Sequence, residues 1–368
     1  MKLSDFDYQL PEASIAQRPL PDRDASRMLM VERGGPGLSD HTFRAFPDLL
    51  RGDELLVVNN ARVIPARLFG RRRGWKSEPS GARSSRSREH LSSVIEVLLT
   101  RRLDRGTWEA LVRPGRKMRV GERIVFGEGE LEGEIISRGE YGERQIKFLS
   151  PDDPEPLIER LGHVPLPPYI HREDDAADCE NYQTVFAKHS GAIAAPTAGL
   201  HFSTAIVERI RQRGIEICEL TLDVGLGTFQ PIREEIVERH AIHTESYEIP
   251  DETAGRIRKA KQQRRPVMAI GTTVVRALED AAQKMATSTD RVGASLLASG
   301  RNIADIYIYP GHEFRVVDQL LTNFHLPQST LLVLVAAFAG REHILRAYEH
   351  AVRAGYRFYS YGDCMLIH

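Results

Sequence analysis

The 368 residues carry 50 Lys and Arg against 51 Asp and Glu, a formal net charge of −1, so no global basic field draws the chain onto a polyanion and any such contact needs a local patch. With 41% hydrophobic residues, the chain is long enough for two domains with cores of their own. Cys179, Cys218 and Cys364 lie far apart without a CxxC pair, which argues against a disulfide framework or zinc cluster and for a reducing compartment.

The opening Met-Lys-Leu-Ser-Asp-Phe-Asp has no apolar signal core. The longest apolar run, Leu331 to Ala339, is far below the roughly 20 residues that cross a bilayer. The expectation is a cytoplasmic protein with no membrane partner and, lacking a coiled-coil repeat, a monomer.

Residues 1–60 end in Glu-Leu-Leu-Val-Val, a short strand running into Asn59 and Asn60. From about 62 to 150 the texture changes to short β-prone runs: Val94 to Leu99, Trp108 to Val112, Arg123 to Phe126, Glu134 to Ile136 and Gln145 to Phe148. Glycine-containing turns separate them, which predicts a small antiparallel barrel or sandwich. Residues 71–93, beginning Arg71-Arg72-Arg73 and continuing basic and Ser-rich, predict a mobile loop. Its arginines, with Arg62 and Arg67, could grip phosphates, although charge runs are more often merely solvated.

From about 155 strands and helices alternate. A helix over 203–213 is capped by Ser203 or Thr204, and strands follow at Ile215 to Leu222 and Val267 to Ile270. A helix then runs from Gly271 to Ala282, a strand from Ile303 to Tyr309, and a buried helix from Thr330 to Ala339, closed by Gly340. Such alternation predicts an α/β layer. The first sixty residues match it better than they match the β-rich stretch, so the reading is an α/β domain of 1–60 plus 151–368 interrupted by an inserted β domain of 61–150.

Ligands of open α/β sheets sit beyond the carboxyl ends of strands, and five segments crowd small, polar or titratable residues there. Residues 191–202 set Thr197, Gly199 and His201 in a turn before a helix, where bared amides suit an anion. Thr221 to Pro231 is a Gly-rich loop with Asp223, Gly225, Gly227 and Thr228. It is neither GxGxxG nor a P-loop. Gly271, Thr272 and Thr273 open a helix on which Arg276 and Glu279 are spaced to pair. Asn323 and His325 share one face of an extended segment, and Tyr359, Tyr361 and Asp363 close the series. His201 and His325 are the candidates for proton transfer near neutral pH.

Taken together these blocks carry a resemblance. Asp5-Phe-Asp-Tyr-Gln-Leu-Pro-Glu, Val58-Asn-Asn-Ala-Arg-Val-Ile-Pro-Ala-Arg-Leu-Phe-Gly70, Gly162-His-Val-Pro-Leu-Pro-Pro-Tyr-Ile170 and Ala195-Pro-Thr-Ala-Gly-Leu-His-Phe202 resemble the S-adenosylmethionine:tRNA ribosyltransferase-isomerases of queuosine biosynthesis. So do Gly271-Thr-Thr-Val-Val-Arg276, Thr322-Asn-Phe-His-Leu-Pro327 and Tyr361-Gly-Asp363. The resemblance implies an α/β domain interrupted by a small antiparallel β-barrel. It also implies a transferase that moves the ribosyl part of S-adenosylmethionine onto 7-aminomethyl-7-deazaguanine in tRNA and isomerises it to epoxyqueuosine, releasing adenine and methionine. S-adenosylmethionine is then a substrate, and no metal or redox cofactor is implied.

On that footing His201, His325, Asp223 and Asp363 are the catalytic candidates. Thr197, Gly199, Gly225, Gly227, Thr228, Gly271, Thr272, Thr273, Arg276, Asn323 and Tyr361 are the S-adenosylmethionine-binding candidates. Asn59, Asn60, Arg62, Arg67, Arg71, Arg72 and Arg73 are the tRNA-binding candidates. Two departures stand out: Asp223 replaces a usual histidine, and the basic insert replaces a short Thr-Gly-Gly-Lys turn. The competing readings are an S-adenosylmethionine-dependent RNA methyltransferase and a non-catalytic RNA-binding paralogue.

Overall fold

Leu55–Asn59 and Val267–Ile270 are buried at every position, the mark of strands covered on both faces, and this is why their sequences are unbroken apolar runs. Leu55 and Val57 face one core cluster and Leu56 and Val58 the other, as the two-residue period of a strand requires. The computed structural model describes residues 1–73, 94–139, 142–150, 152–225, 232, 234–287 and 296–368, Lys117 by its backbone alone.

One mixed sheet runs in the order Gly300–Ala304, Glu245–Ile249, Glu216–Leu222, Leu55–Asn59, Val267–Ile270, Gln319–Asn323, Cys364–Ile367, Arg27–Val31, Leu38–Thr42. The four strands from Glu216–Leu222 to Gln319–Asn323 are mutually parallel, and Cys364–Ile367 runs against them. Arg27–Val31 is parallel to Cys364–Ile367. One edge of the sheet therefore collects the carboxyl ends of four strands and the amino ends of two. Asp223, Asn60, Gly271, His325, Asp363 and Ser26 all follow or precede strands at this edge.

Capping fixes the helices that flank it. Ser203 Oγ accepts from the Ile206 amide at 3.3 Å at the start of Thr204–Gln212, and Ser329 Oγ accepts from Leu332 at 3.2 Å at the start of Thr330–Ala339. Gly340 ends the second helix at φ +89°. The helix after Gly271 extends further than its sequence pattern suggests, spanning Thr272–Thr287. The strand expected over 303–309 is instead Gly300–Ala304. Ile306 and Ile308 leave the ladder and bury themselves in the core, and Ile303 is 51% exposed, so the apolar alternation there reports packing and not strand pairing.

Two compact units emerge, Met1–Arg62 with Pro167–His368, and Val63–Leu166. The second is a closed six-stranded antiparallel barrel in the order Glu143–Phe148, Thr107–Arg113, Ile95–Arg102, Arg67–Arg72, Arg123–Phe126, Leu131–Arg138. The strand Arg67–Arg72 takes in Arg71 and Arg72, where the sequence suggests the start of a mobile loop. Leu68 and Gly70 point inward while Phe69 and Arg71 point out, an alternation hidden by the arginines. The rest of that loop, residues 74–93, lies outside the described residues.

Residues 152–166 also go with the barrel, not with the α/β part. His163 and Arg67 exchange backbone hydrogen bonds at 2.8 and 3.2 Å, and a Cβ on Gly162 would sit 1.9 Å from the Pro65 carbonyl oxygen. Only glycine permits that approach. Among the described residues no helix is long and apolar enough to cross a membrane.

Candidate active site

At the carboxyl edge of the parallel strands lies a cavity that opens to solvent, the place where open α/β sheets bind their ligands. Thr197 and Ala198 form one wall; Gly271, Thr272 and Thr273 form another; Thr322, Asn323 and His325 form the floor; Tyr169, Tyr359 and Ser360 complete it. Gly271 adopts φ +99°, which lets the chain turn from strand straight into the helix Thr272–Thr287. The amino end of that helix is therefore part of the lining, where its unpaired amides favour a negative group. Three lining residues, each less than a tenth exposed, hold a buried polar atom with no partner among the described residues: Asn323 Oδ1, Thr273 Oγ1 and Tyr359 OH. Buried polar groups are seldom left unmatched without a reason.

The orientation of Asn323 is dictated by its surroundings. Its Nδ2 donates to the Tyr359 carbonyl at 3.0 Å and lies 3.2 Å from His201 Nε2, so Oδ1 must face the other way. His201 Nε2 is thereby an acceptor, and Nδ1 carries the proton toward Ser26 Oγ at 2.7 Å. Ser26 in turn donates to the Arg23 carbonyl at 3.2 Å. Both nitrogens of His201 are committed, and burial pushes its pKa from 6.5 down to about 4. His201 is not part of the cavity lining. It borders a smaller pocket with Arg23, Asn181 and Tyr361.

His325 lines the main cavity, with Nε2 2.8 Å from Thr322 Oγ1. Burial pushes its pKa down to about 3. Its backbone is pinned on both sides, the amide donating to Tyr348 OH at 3.0 Å and the carbonyl accepting from Tyr8 OH at 2.6 Å. Both imidazoles are thus neutral at physiological pH.

Comparison with known proteins places the chain. A sequence profile of the family described as "Queuosine biosynthesis protein" matches residues 3–367. The chain belongs to that family. The S-adenosylmethionine:tRNA ribosyltransferase-isomerase of Solibacter usitatus is 52% identical over 369 residues, and that of Symbiobacterium thermophilum 47% over 367, each covering 100% of both chains. The crystal structure of S-adenosylmethionine tRNA ribosyltransferase from Thermotoga maritima covers 99% of this chain and 100% of its own at 34% identity, with a TM-score of 0.52. The family is one of enzymes, and the described fold is an α/β sheet unit with a closed barrel.

In this queuosine biosynthesis family member, the cavity gathers Thr197, Gly271, Thr272, Thr273, Asn323 and His325 from the sequence candidates. Others are engaged elsewhere. Asp363 accepts from the Arg27 and Arg357 amides, each at 2.8 Å, and so ties two chain segments together. Asn59 is held by the backbone of Ala61 and Leu222, and Asn60 by Glu219 and Thr221. Arg276 pairs with Glu245 in the interior and donates to the His243 carbonyl at 3.0 Å. Its expected helical partner Glu279 instead accepts the amides of Arg315, Val316 and Val317.

Glu245 also accepts from the Gly225 amide at 3.1 Å; Gly227 and Thr228 lie outside the described residues. Asp223 precedes the lining residue Val224, and desolvation raises its pKa. Gly199 packs on Thr184. Tyr361 OH donates to Asp178 at 2.8 Å, where Arg172 also binds. On the barrel Arg67 pairs with Glu96, Arg72 with Glu122 and Arg73 with Glu132, while Arg62 and Arg71 are exposed.

Sequence reasoning missed Tyr169, Thr322 and Ser360 as lining residues. Tyr169 stacks on Tyr359 with centroids 4.3 Å apart and shares a hydrogen bond of 2.6 Å with Ser360. The Pro-Pro-Tyr-Ile block was a signal for it, but its meeting with Tyr359 spans 190 residues of chain. Among the described residues, no three His, Cys, Asp or Glu side chains gather as a metal cluster.

Proposed function

We propose that this chain transfers and isomerises the ribosyl moiety of S-adenosylmethionine onto 7-aminomethyl-7-deazaguanine in tRNA, leaving epoxyqueuosine and releasing adenine and methionine. The observation that carries the reading is the cavity with three unmatched polar atoms and a neutral imidazole on its floor. Family membership and the names of full-length relatives support the substrate class.

The chemistry asks for three proton movements. The sulfonium acidifies the C5′ hydrogens and a base must remove one; adenine leaves readily only when protonated; and the exocyclic amine must lose a proton to attack. His325, neutral and on the cavity floor, accepts the C5′ proton and afterwards delivers it to the departing adenine. A neutral imidazole can serve first as base and then as acid, whereas a permanently charged one could not. The amino end of the helix Thr272–Thr287, with Thr273 Oγ1, receives the methionine carboxylate. Asn323 Oδ1 accepts from a donor of the ligand, and His201 holds that amide in place. The sulfonium supplies the activation, so the reaction requires no metal or redox cofactor.

The test is incubation with S-adenosylmethionine and tRNA bearing 7-aminomethyl-7-deazaguanine, followed by mass analysis of nucleosides and free bases. Epoxyqueuosine with one adenine and one methionine per modified base is expected. S-adenosylhomocysteine would identify a methyltransferase, and tRNA binding without any product would identify a binding paralogue.

A further inference from the structure

Many of the barrel's arginines are compensated by carboxylates. Arg67, Arg101 and Arg123 meet carboxylates of the neighbouring strand at 2.8, 2.5 and 3.1 Å, and Arg73, just past the end of its strand, meets Glu132 at 2.6 Å. Uncompensated arginines gather at one end of the barrel, where Thr107–Arg113 and Leu131–Arg138 finish and Glu143–Phe148 begins. A cleft there is lined by Arg113, Arg116, Arg138 and Arg144, the remaining lining being Val112 and three glycines. Among the described residues, none of the four has a carboxylate partner. Glu96 lies opposite Arg113 in the strand register but is taken by Arg67. Glu143, on the rim, forms no ion pair among the described residues.

The arrangement is held against electrostatic cost. Arg144 is only 4% exposed, and its guanidinium donates to the carbonyls of Gly115 at 2.6 Å, Met118 at 3.0 Å and Glu143 at 2.6 Å. Arg138 sits directly opposite it in the register, a like-charge pair that destabilises a sheet. Burial and the Arg138 charge both lower the Arg144 proton affinity. Arg144 thus braces the Gly115–Lys117 turn, while Arg113, Arg116 and Arg138 remain exposed. Glycines between them leave room for a bulky anion to approach the backbone.

We infer that this cleft is a phosphodiester-binding site through which the barrel grips the tRNA backbone, with Arg113, Arg116 and Arg138 as the phosphate contacts and Arg144 as their support. The inference rests on the tRNA reading above and assigns the barrel's contact to these residues in place of Arg67, Arg72 and Arg73, whose charge is already neutralised. Arginine suits the role because its planar fork matches phosphate oxygens.

The experiment measures binding of the full chain to unmodified tRNA transcript across a salt series. Arg113→Ala/Arg116→Ala/Arg138→Ala should weaken binding at least tenfold at 0.1 M salt and lower the slope of log K against log salt by about three. S-adenosylmethionine binding should stay within twofold. The all-lysine triple variant should recover most of the affinity. Arg101→Ala/Arg123→Ala, which removes paired barrel arginines, should change it less than twofold. Undiminished binding by the triple alanine variant, or an equal loss in the paired-arginine control, overturns the site. If the unaltered chain binds no tRNA at all, the functional reading falls and takes the site with it, an outcome distinct from the other two.

Discussion

Acid should destabilise this protein through two histidines before most of its carboxylates titrate. Burial lowers His201 from 6.5 to about 4 and His325 to about 3. With the folded value below the unfolded one, the unfolded chain takes up protons first. The contribution is whole above pH 6.5 and is lost as pH falls toward the folded values. Between pH 7 and 4.5 each histidine forfeits somewhat under two pKa units, about 2.5 kcal/mol, and the pair about 5 kcal/mol. That is comparable with the whole stability of many domains, about 5–15 kcal/mol.

Asp223 and Asp363 oppose the trend, since desolvation raises them and their contribution grows as pH falls. Comparing variants cancels that opposing part. Urea unfolding at pH 7.0 and 4.5 is the assay, on the unaltered chain and on His201→Gln/His325→Gln. The variant should lose about 5 kcal/mol less over the same interval. Equal losses would refute the claim that both imidazoles fold neutral, and with it the assignment of His325 as a base.

Other consequences follow from particular contacts. Thr273→Val removes a hydroxyl that has no partner among the described residues, so thermal stability should hold or rise slightly while KM for S-adenosylmethionine rises about tenfold. His325→Gln should cut turnover by about 10²-fold or more, with S-adenosylmethionine affinity within threefold by calorimetry. Glu245→Ala strands the Arg276 charge in the interior and should cost about 3–5 kcal/mol of unfolding free energy, most of it regained in Glu245→Met/Arg276→Met. Gly162→Ala drives a methyl against the Pro65 carbonyl and should cost about 3 kcal/mol, read as faster amide exchange in the barrel strands.

The local rules written in the chain were enough for the elements around the site. Ser203 and Ser329 announce their helices because a hydroxyl before an apolar period satisfies a bare amide. Val267–Ile270 reads as a buried strand because four apolar residues in a row have no solvent face. Gly271 with two threonines, and Asn323 with His325, could be singled out because polar residues at strand ends have few structural reasons to be there. Arg67–Arg72 hid its strand because three of its outward side chains, on alternating positions or at the strand's end, are basic and draw the eye to charge in place of period.

What folding alone decided is which polar group faces which. Asp363, Arg276, Asn59 and Asn60 are polar groups at the same sheet edge as Asn323, yet backbone amides, a buried glutamate and neighbouring side chains consume them. Asn323 keeps one oxygen free only because His201 and the Tyr359 carbonyl, each remote in sequence, claim its amide. Pairing of this kind joins residues 31 apart, as in Glu245 and Arg276, or 122 apart, as in His201 and Asn323, and no local pattern encodes it. The same holds for the barrel, where neighbouring strands neutralise some arginines and leave Arg113, Arg116 and Arg138 bare. Sequence determines which groups are available; the register of distant strands determines which of them are left unsatisfied, and those are the ones that can bind.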